Sequence, residues 1–319
     1  MNYKTFYKAV LLFSLFAAVT AGIFMTVSIL HCADESGINM YSSDNVEYYG
    51  PVNLILIICV AGYIAATAVF RKRLGKKVDF SANPSRIVYS IMGFLLAALF
   101  VFCLCREFFA GEGYDHGNMY VLFTKEIAGG VESSKVSVLY LVFLLLLAGS
   151  FAFYLYGANK KNLDADGSVS GSETFAVMSM LPSATMAIKI IYDFLLQSGN
   201  GYGTLYNYHL IGMGFTLLFT VYESRFYFKK AMPSLYFLFG LVAASASLVF
   251  SIPALVLFFS GKAGANWHPV FCAADIFIVI CIYVRLFSLN VHQYERQKKQ
   301  KCIEDGDNAP ANIVNVDEQ

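Results

Sequence analysis

Eight long apolar runs dominate this chain, and they restrict its possible folds more than any other feature. They cover residues 9–30, 51–70, 86–105, 136–156, 173–197, 205–222, 232–259 and 268–290. A helix rises about 1.5 Å per residue, so roughly 20 apolar residues cross the hydrocarbon core of a bilayer. The runs are apolar on all sides rather than alternating, which favours helices over the strands of a membrane barrel. The sequence predicts an all-α, polytopic integral membrane protein with a bundle of eight transmembrane helices.

The overall composition agrees with this interpretation. Hydrophobic residues make up 57% of the chain and charged residues 14%, whereas an ordinary soluble domain has about 45–50% and about 25%. A water-soluble core cannot bury that much apolar surface, so the lipid bilayer is the expected partner. The formal net charge is +1, which gives no reason to expect a nucleic-acid partner.

The distribution of lysine and arginine predicts the orientation. Of the 23 Lys and Arg residues, 17 lie in the N-terminus, in alternate loops and in the C-terminal tail, and the other four loops hold only 4. Because cytoplasmic segments carry the excess of positive charge, both termini are predicted to be cytoplasmic. The compact loops favour a bacterial cytoplasmic (plasma) membrane as the location.

A Gly/Ser/Asp-rich segment divides the chain into two halves. Residues 157–172 are predicted to be a cytoplasmic linker between spans 1–4, in residues 1–156, and spans 5–8, in residues 173–290. Residues 291–319 are predicted to be a disordered cytoplasmic tail. The first run has an alternative interpretation as a signal peptide cleaved after Ala21, but its continuation to Leu30 favours an uncleaved anchor.

Four ionisable residues lie inside spans 5, 6 and 8 at a similar predicted depth. Lys189 and Asp193 are one helical turn apart on span 5, His209 is on span 6 and Asp275 is on span 8. A charge at the bilayer centre costs about 2.5–3.5 kcal/mol on insertion scales, so such residues are expected to have a role. Together they predict an outward-facing polar pocket that binds a small molecule. The tyrosines predicted at the same depth are Tyr192, Tyr206 and Tyr208.

Structural roles are the competing interpretation of these charges. The stem of Lys189 is long enough to extend towards the headgroups, and a helical Lys–Asp pair contributes only a few tenths of a kcal/mol. Asp275 is too short to do the same and is alternatively a packing partner for Lys189. Arg285 is predicted to reach the cytoplasmic headgroups from span 8, and Glu223 to be solvated at the inner border of span 6.

Two prolines and a small-residue stripe stand out in spans 5 and 7. Pro182 and Pro253 predict kinks within these spans, since proline removes a helical hydrogen bond. On span 7, Gly240, Ala244 and the nearby Ala243 and Ser247 have the small-xxx-small spacing that lets helices approach closely. This face is a candidate surface for a membrane-protein partner.

The sequence has no recognisable catalytic motif. It lacks a phosphate-binding loop, an H-E-x-x-H or C-x-x-C metal pattern and a G-x-S-x-G nucleophile motif. No catalytic residue, metal ligand or cofactor is therefore predicted. The expected function is non-enzymatic binding, sensing or transport of a small molecule. The alternatives are an intramembrane enzyme acting on a lipid-linked substrate, with His209 or Asp275 as general base, and an accessory subunit of a membrane complex.

Overall fold

The computed structural model describes residues 3–32, 46–78, 83–109, 123–128, 131–136, 138–159, 173–197, 204–228, 230–260 and 269–291. Most of the predicted linker and nearly all of the predicted tail lie outside these residues. The helices are α1 (Tyr3–Cys32), α2 (Val46–Phe70), α3 (Asn83–Phe109), α4 (Val138–Asn159), α5 (Glu173–Met178), α6 (Leu181–Gln197), α7 (Thr204–Tyr227), α8 (Pro233–Phe259) and α9 (Pro269–Phe287). The short strands are β1 (Leu74–Val78), β2 (Phe123–Ala128), β3 (Val131–Val136) and β4 (Leu289–Val291).

The prediction of an all-α protein is confirmed, and part of the helical set is suited to a membrane. Within the described residues, three helices are long and apolar enough to cross a bilayer: Tyr3–Leu30, Gly50–Phe70 and Pro233–Phe259. Shorter apolar helical segments lie at Ile87–Cys103, Leu141–Gly157 and Phe175–Ile191. Each of these segments overlaps one of the predicted spans.

Helix α8 is the central element of the bundle. It packs against α1, α2, α7 and α9, and Leu241 and Ala244 on it are fully buried. The small residues on α8 permit these close contacts: a Cβ atom built on Gly240 would lie 3.0 Å from the ring of Phe219 on α7. The small-residue stripe of span 7 is therefore covered by other helices of the same chain.

The predicted fifth span is two helices rather than one. Helix α5 ends at Met178, and α6 begins at Leu181 after a turn. Pro182 explains the break, because its ring clashes with the carbonyl four residues earlier, which belongs to Met178. Helix α8, by contrast, continues through Pro253 to Phe259, so this proline does not end its helix.

Two small antiparallel sheets were not predicted from the sequence. Strand β1 pairs with β4, so the segment after α2 and the segment after α9 meet at one end of the bundle. Strands β2 and β3 form a hairpin in which Ala128 is opposite Val131. Two glycines separate these strands in the sequence, which is a recognised hairpin signal.

Candidate functional site

Two of the predicted site residues form a buried pair between α7 and α9. Nδ1 of His209 lies 3.6 Å from Oδ2 of Asp275, and their side chains are 5% and 14% exposed. The ring of His209 also packs on Phe250 of α8, with 4.2 Å between the ring centroids. The imidazole is therefore held between an aromatic surface and a carboxylate, with little access to water.

Lys189 lies inside the bundle. Its residue exposure is only 9%, and its Nζ is 2.9 Å from Sδ of Met213 on α7. The ammonium group therefore points from α6 towards α7. This position argues against the interpretation in which the side chain extends to the headgroups.

A cavity of about 80 Å³ lies beside Lys189 and Asp275. One water occupies roughly 10–15 Å³ in this measure, so the cavity has room for several waters or for a small solute. Its wall is mostly apolar, with a few polar groups, as is typical of small-molecule sites. Residues of α3, α4, α6, α7 and α9 form it, and its polar members are Ser150, Tyr154, Thr185, Lys189, Thr216, Thr220 and Asp275.

Hydroxyl groups connect α6 to its neighbours along this cavity. The oxygens of Ser150 on α4 and Thr185 on α6 are 2.7 Å apart. Ser183 on α6 donates to Thr220 on α7 at 3.1 Å. Pro182 also lines the cavity, so the break between α5 and α6 lies beside it.

Three of the residues predicted for the site, two tyrosines and one aspartate, are not assigned to the cavity. Tyr192 and Asp193 lie on α6 and Tyr206 lies on α7, but their side chains fall outside what the structure describes. Tyr208 is described, and its hydroxyl donates a hydrogen bond to Oδ1 of Asn53 on α2. Tyr208 is therefore directed towards another part of the bundle.

A second buried charge pair lies nearer the other end of the same helices. Nη2 of Arg285 is 3.3 Å from Oε1 of Glu223, and these residues are 2% and 6% exposed. The predictions that Arg285 reaches the headgroups and that Glu223 is solvated are therefore wrong. Both side chains lie on the inward faces of their helices. Side-chain length and distance from the span end do not indicate which way a side chain faces.

Aromatic side chains surround this second pair. The guanidinium carbon of Arg285 is 4.1 Å from the ring centroid of Tyr89, a distance suited to a cation–π contact. A cavity of about 30 Å³ adjoins the pair and shares Tyr154, Thr216 and Thr220 with the larger cavity.

The spacing of polar residues along the two helices indicates the second pair. On α7, His209, Thr216, Thr220 and Glu223 follow the i, i+7, i+11, i+14 spacing of one helix face. The same kind of stripe on α9 connects Asp275 with Arg285 through Ile278 and Ile282. This helical periodicity is the sequence signal that indicates an inward-facing pair near the span ends.

The chain matches no protein-family description, no curated protein and no solved structure. Among the described residues, no group of three or more His, Cys, Asp and Glu side chains could hold a metal ion. The cavity is lined by a lysine, a carboxylate and several hydroxyls, and the carboxylate of Asp275 also contacts His209. These groups suit the binding of an anionic or zwitterionic solute.

Proposed function

We propose that this protein is an eight-span membrane protein with both termini in the cytoplasm. The observation that supports eight spans is that helices other than the three long ones also expose large apolar side chains. Phe94 on α3, Leu145 on α4, Ile211 on α7 and Ile280 on α9 are 68%, 73%, 45% and 51% exposed. A soluble protein rarely exposes extensive apolar patches of this kind, whereas lipid covers them without cost. The lysine and arginine distribution supports the orientation.

We further propose that the cavity beside Lys189 and Asp275 binds a small anionic or zwitterionic molecule that enters from outside. The single observation that carries this proposal is that Lys189 and Asp275 line one cavity within a largely apolar wall. Buried charges in membrane helices are costly and typically mark ligand or ion sites. The ligand is bound or transported without covalent chemistry.

The test compares ligand response with folding in matched variants. Purified protein in detergent is heated with acetate, phosphate, glycine or betaine, and the melting temperature is recorded for the wild type, Asp275→Asn, Lys189→Met and the control Thr20→Val. Thr20 is on the exposed side of α1. We expect at least one probe to stabilise the wild type and the control but neither site variant. A probe present at 100 times its Kd stabilises by about 2.7 kcal/mol.

Two results would count against the binding site. The first is an equal loss of folded protein in both single variants that is restored in the double variant, because this identifies a structural ion pair. The second is the same stabilisation by the probes in Asp275→Asn as in the wild type. Hydrolysis of a lipid extract that depends on His209 would instead favour the intramembrane enzyme.

A further inference from the structure

The two cavities described above share lining residues, and both charge pairs join α7 to α9. Ten residues separate Asp275 from Arg285 on α9, which corresponds to about 15 Å along the helix. The larger cavity adjoins Asp275 and the smaller one adjoins Arg285, and both are bounded by Tyr154, Thr216 and Thr220. The polar positions thus continue from the outer site towards the cytoplasmic ends of α7 and α9.

The Glu223–Arg285 pair lines the smaller cavity, whereas Asp275 lines only the larger one. Each side chain is less than one-tenth exposed, and the pair joins α7 to α9 across the smaller cavity. A buried ion pair is often no more stabilising than apolar residues of similar volume, so stability alone gives a weak reason for its presence. A pair that separates and re-forms is instead suited to a gate.

We propose that the protein is a transporter rather than a sensor, and that the Glu223–Arg285 pair is the inner gate of a pathway that begins at the outer cavity. This inference depends on the proposed binding site, because it assigns a route to the solute bound there. The solute passes Tyr154, Thr216 and Thr220 and enters the cytoplasm when the ion pair separates. The break between α5 and α6 beside the cavity provides a site at which α6 can move relative to α5.

A native cysteine provides a probe next to the gate. Cys281 lines the smaller cavity and is free and buried. The other six cysteines of the chain are replaced by alanine, and the protein is placed in inside-out and right-side-out membrane vesicles. A cationic, membrane-impermeant methanethiosulfonate reagent is then applied, and the modification rate of Cys281 is measured by mass spectrometry.

Two variants open the gate by different means. Glu223→Gln removes one charge, and the double variant Glu223→Gln with Arg285→Gln removes both and leaves no isolated buried charge. We expect Cys281 to be protected from both sides when the pair is intact. We expect at least a tenfold faster modification from the cytoplasmic side in either variant that folds. The control is Val242→Cys without Cys281: Val242 is 6% exposed on α8 and lines neither cavity, so its rate remains unchanged.

The outcomes separate the gate from the binding site. A second probe, Thr185→Cys without Cys281, lies in the outer cavity and is tested from outside. If Thr185→Cys is modified while Cys281 stays protected in both variants, the gate is overturned and the binding site is still supported. Faster modification of Cys281 in the variants, together with an unmodified Thr185→Cys, supports the inner gate and contradicts the outward-facing site.

The control gives a further outcome. An equal increase in the modification rate of Val242→Cys shows that the whole bundle has loosened, and it overturns the gate. Failure of both variants to fold identifies the pair as structural and also overturns it.

Discussion

At the scale of single residues, the sequence predicts which helix carries each charged residue but not the direction of its side chain. The sequence predicts that Lys189, His209 and Asp275 lie at one depth, and the structure brings His209 and Asp275 to 3.6 Å. The length of the Arg285 side chain and its position near a helix end predict that it extends outwards. The residue instead faces inwards, where Glu223 is its counter-ion. Helix periodicity carries this information, whereas distance from the span end does not.

A single tyrosine illustrates how much one polar contact contributes. The hydroxyl of Tyr7 on α1 donates to the carbonyl of Leu286 at 2.7 Å, in the last turn of α9, where carbonyls lack helical partners. We expect Tyr7→Phe to lower the free energy of unfolding by about 0.5–1.5 kcal/mol. Denaturant titration in detergent micelles measures this change. Tyr156→Phe is the control, since Tyr156 is 54% exposed; equal stability losses in the two variants would contradict the assigned contact.

At the scale of elements, most helices were predictable because each one coincides with an apolar run. The break between α5 and α6 was not predicted as two helices, although Pro182 was identified as a kink. Proline in a span can bend a helix or end it, and Pro253 within the continuous α8 shows that the sequence signal does not distinguish these outcomes. The β1–β4 sheet joins segments that are more than 200 residues apart in the sequence, so no local pattern could indicate it.

Helix contact distance gives a prediction at the same scale. A Cβ atom on Gly212 of α7 would lie 3.0 Å from the backbone nitrogen and 2.8 Å from Oγ of Ser247 on α8. We expect Gly212→Ala to push α7 and α8 apart and to reduce the free energy of unfolding by about 1–3 kcal/mol. The measurement is again denaturant titration in micelles.

The same helix contains a matched control. A Cβ atom on Gly214 meets nothing within 4 Å, so Gly214→Ala is expected to leave stability unchanged or to raise it by up to about 1 kcal/mol through helix propensity. A larger destabilisation by Gly214→Ala than by Gly212→Ala would show that the α7–α8 contact is not the close one.

At the scale of the whole molecule, the orientation is the claim that the sequence supports most strongly. The segment that follows α2 and the one that follows α9 meet in the β1–β4 sheet, and both were predicted to be cytoplasmic from their positive charge. Reporter fusions test this arrangement. We expect a fluorescent reporter to be active at either terminus, and a periplasmic phosphatase to be active when it is inserted at residues 198–203 but not at either terminus. Phosphatase activity at one terminus together with fluorescence at the other would contradict the even number of spans.

The central claim is that the cavity beside Lys189 and Asp275 binds a solute from outside, and ligand protection tests it most directly. Thr185→Cys, in a chain without other cysteines, is modified from outside by the impermeant reagent in the presence and absence of each stabilising probe. The account predicts modification that slows at least tenfold when a probe is bound. An unreactive Thr185→Cys, or a rate that no stabilising probe changes, would contradict it.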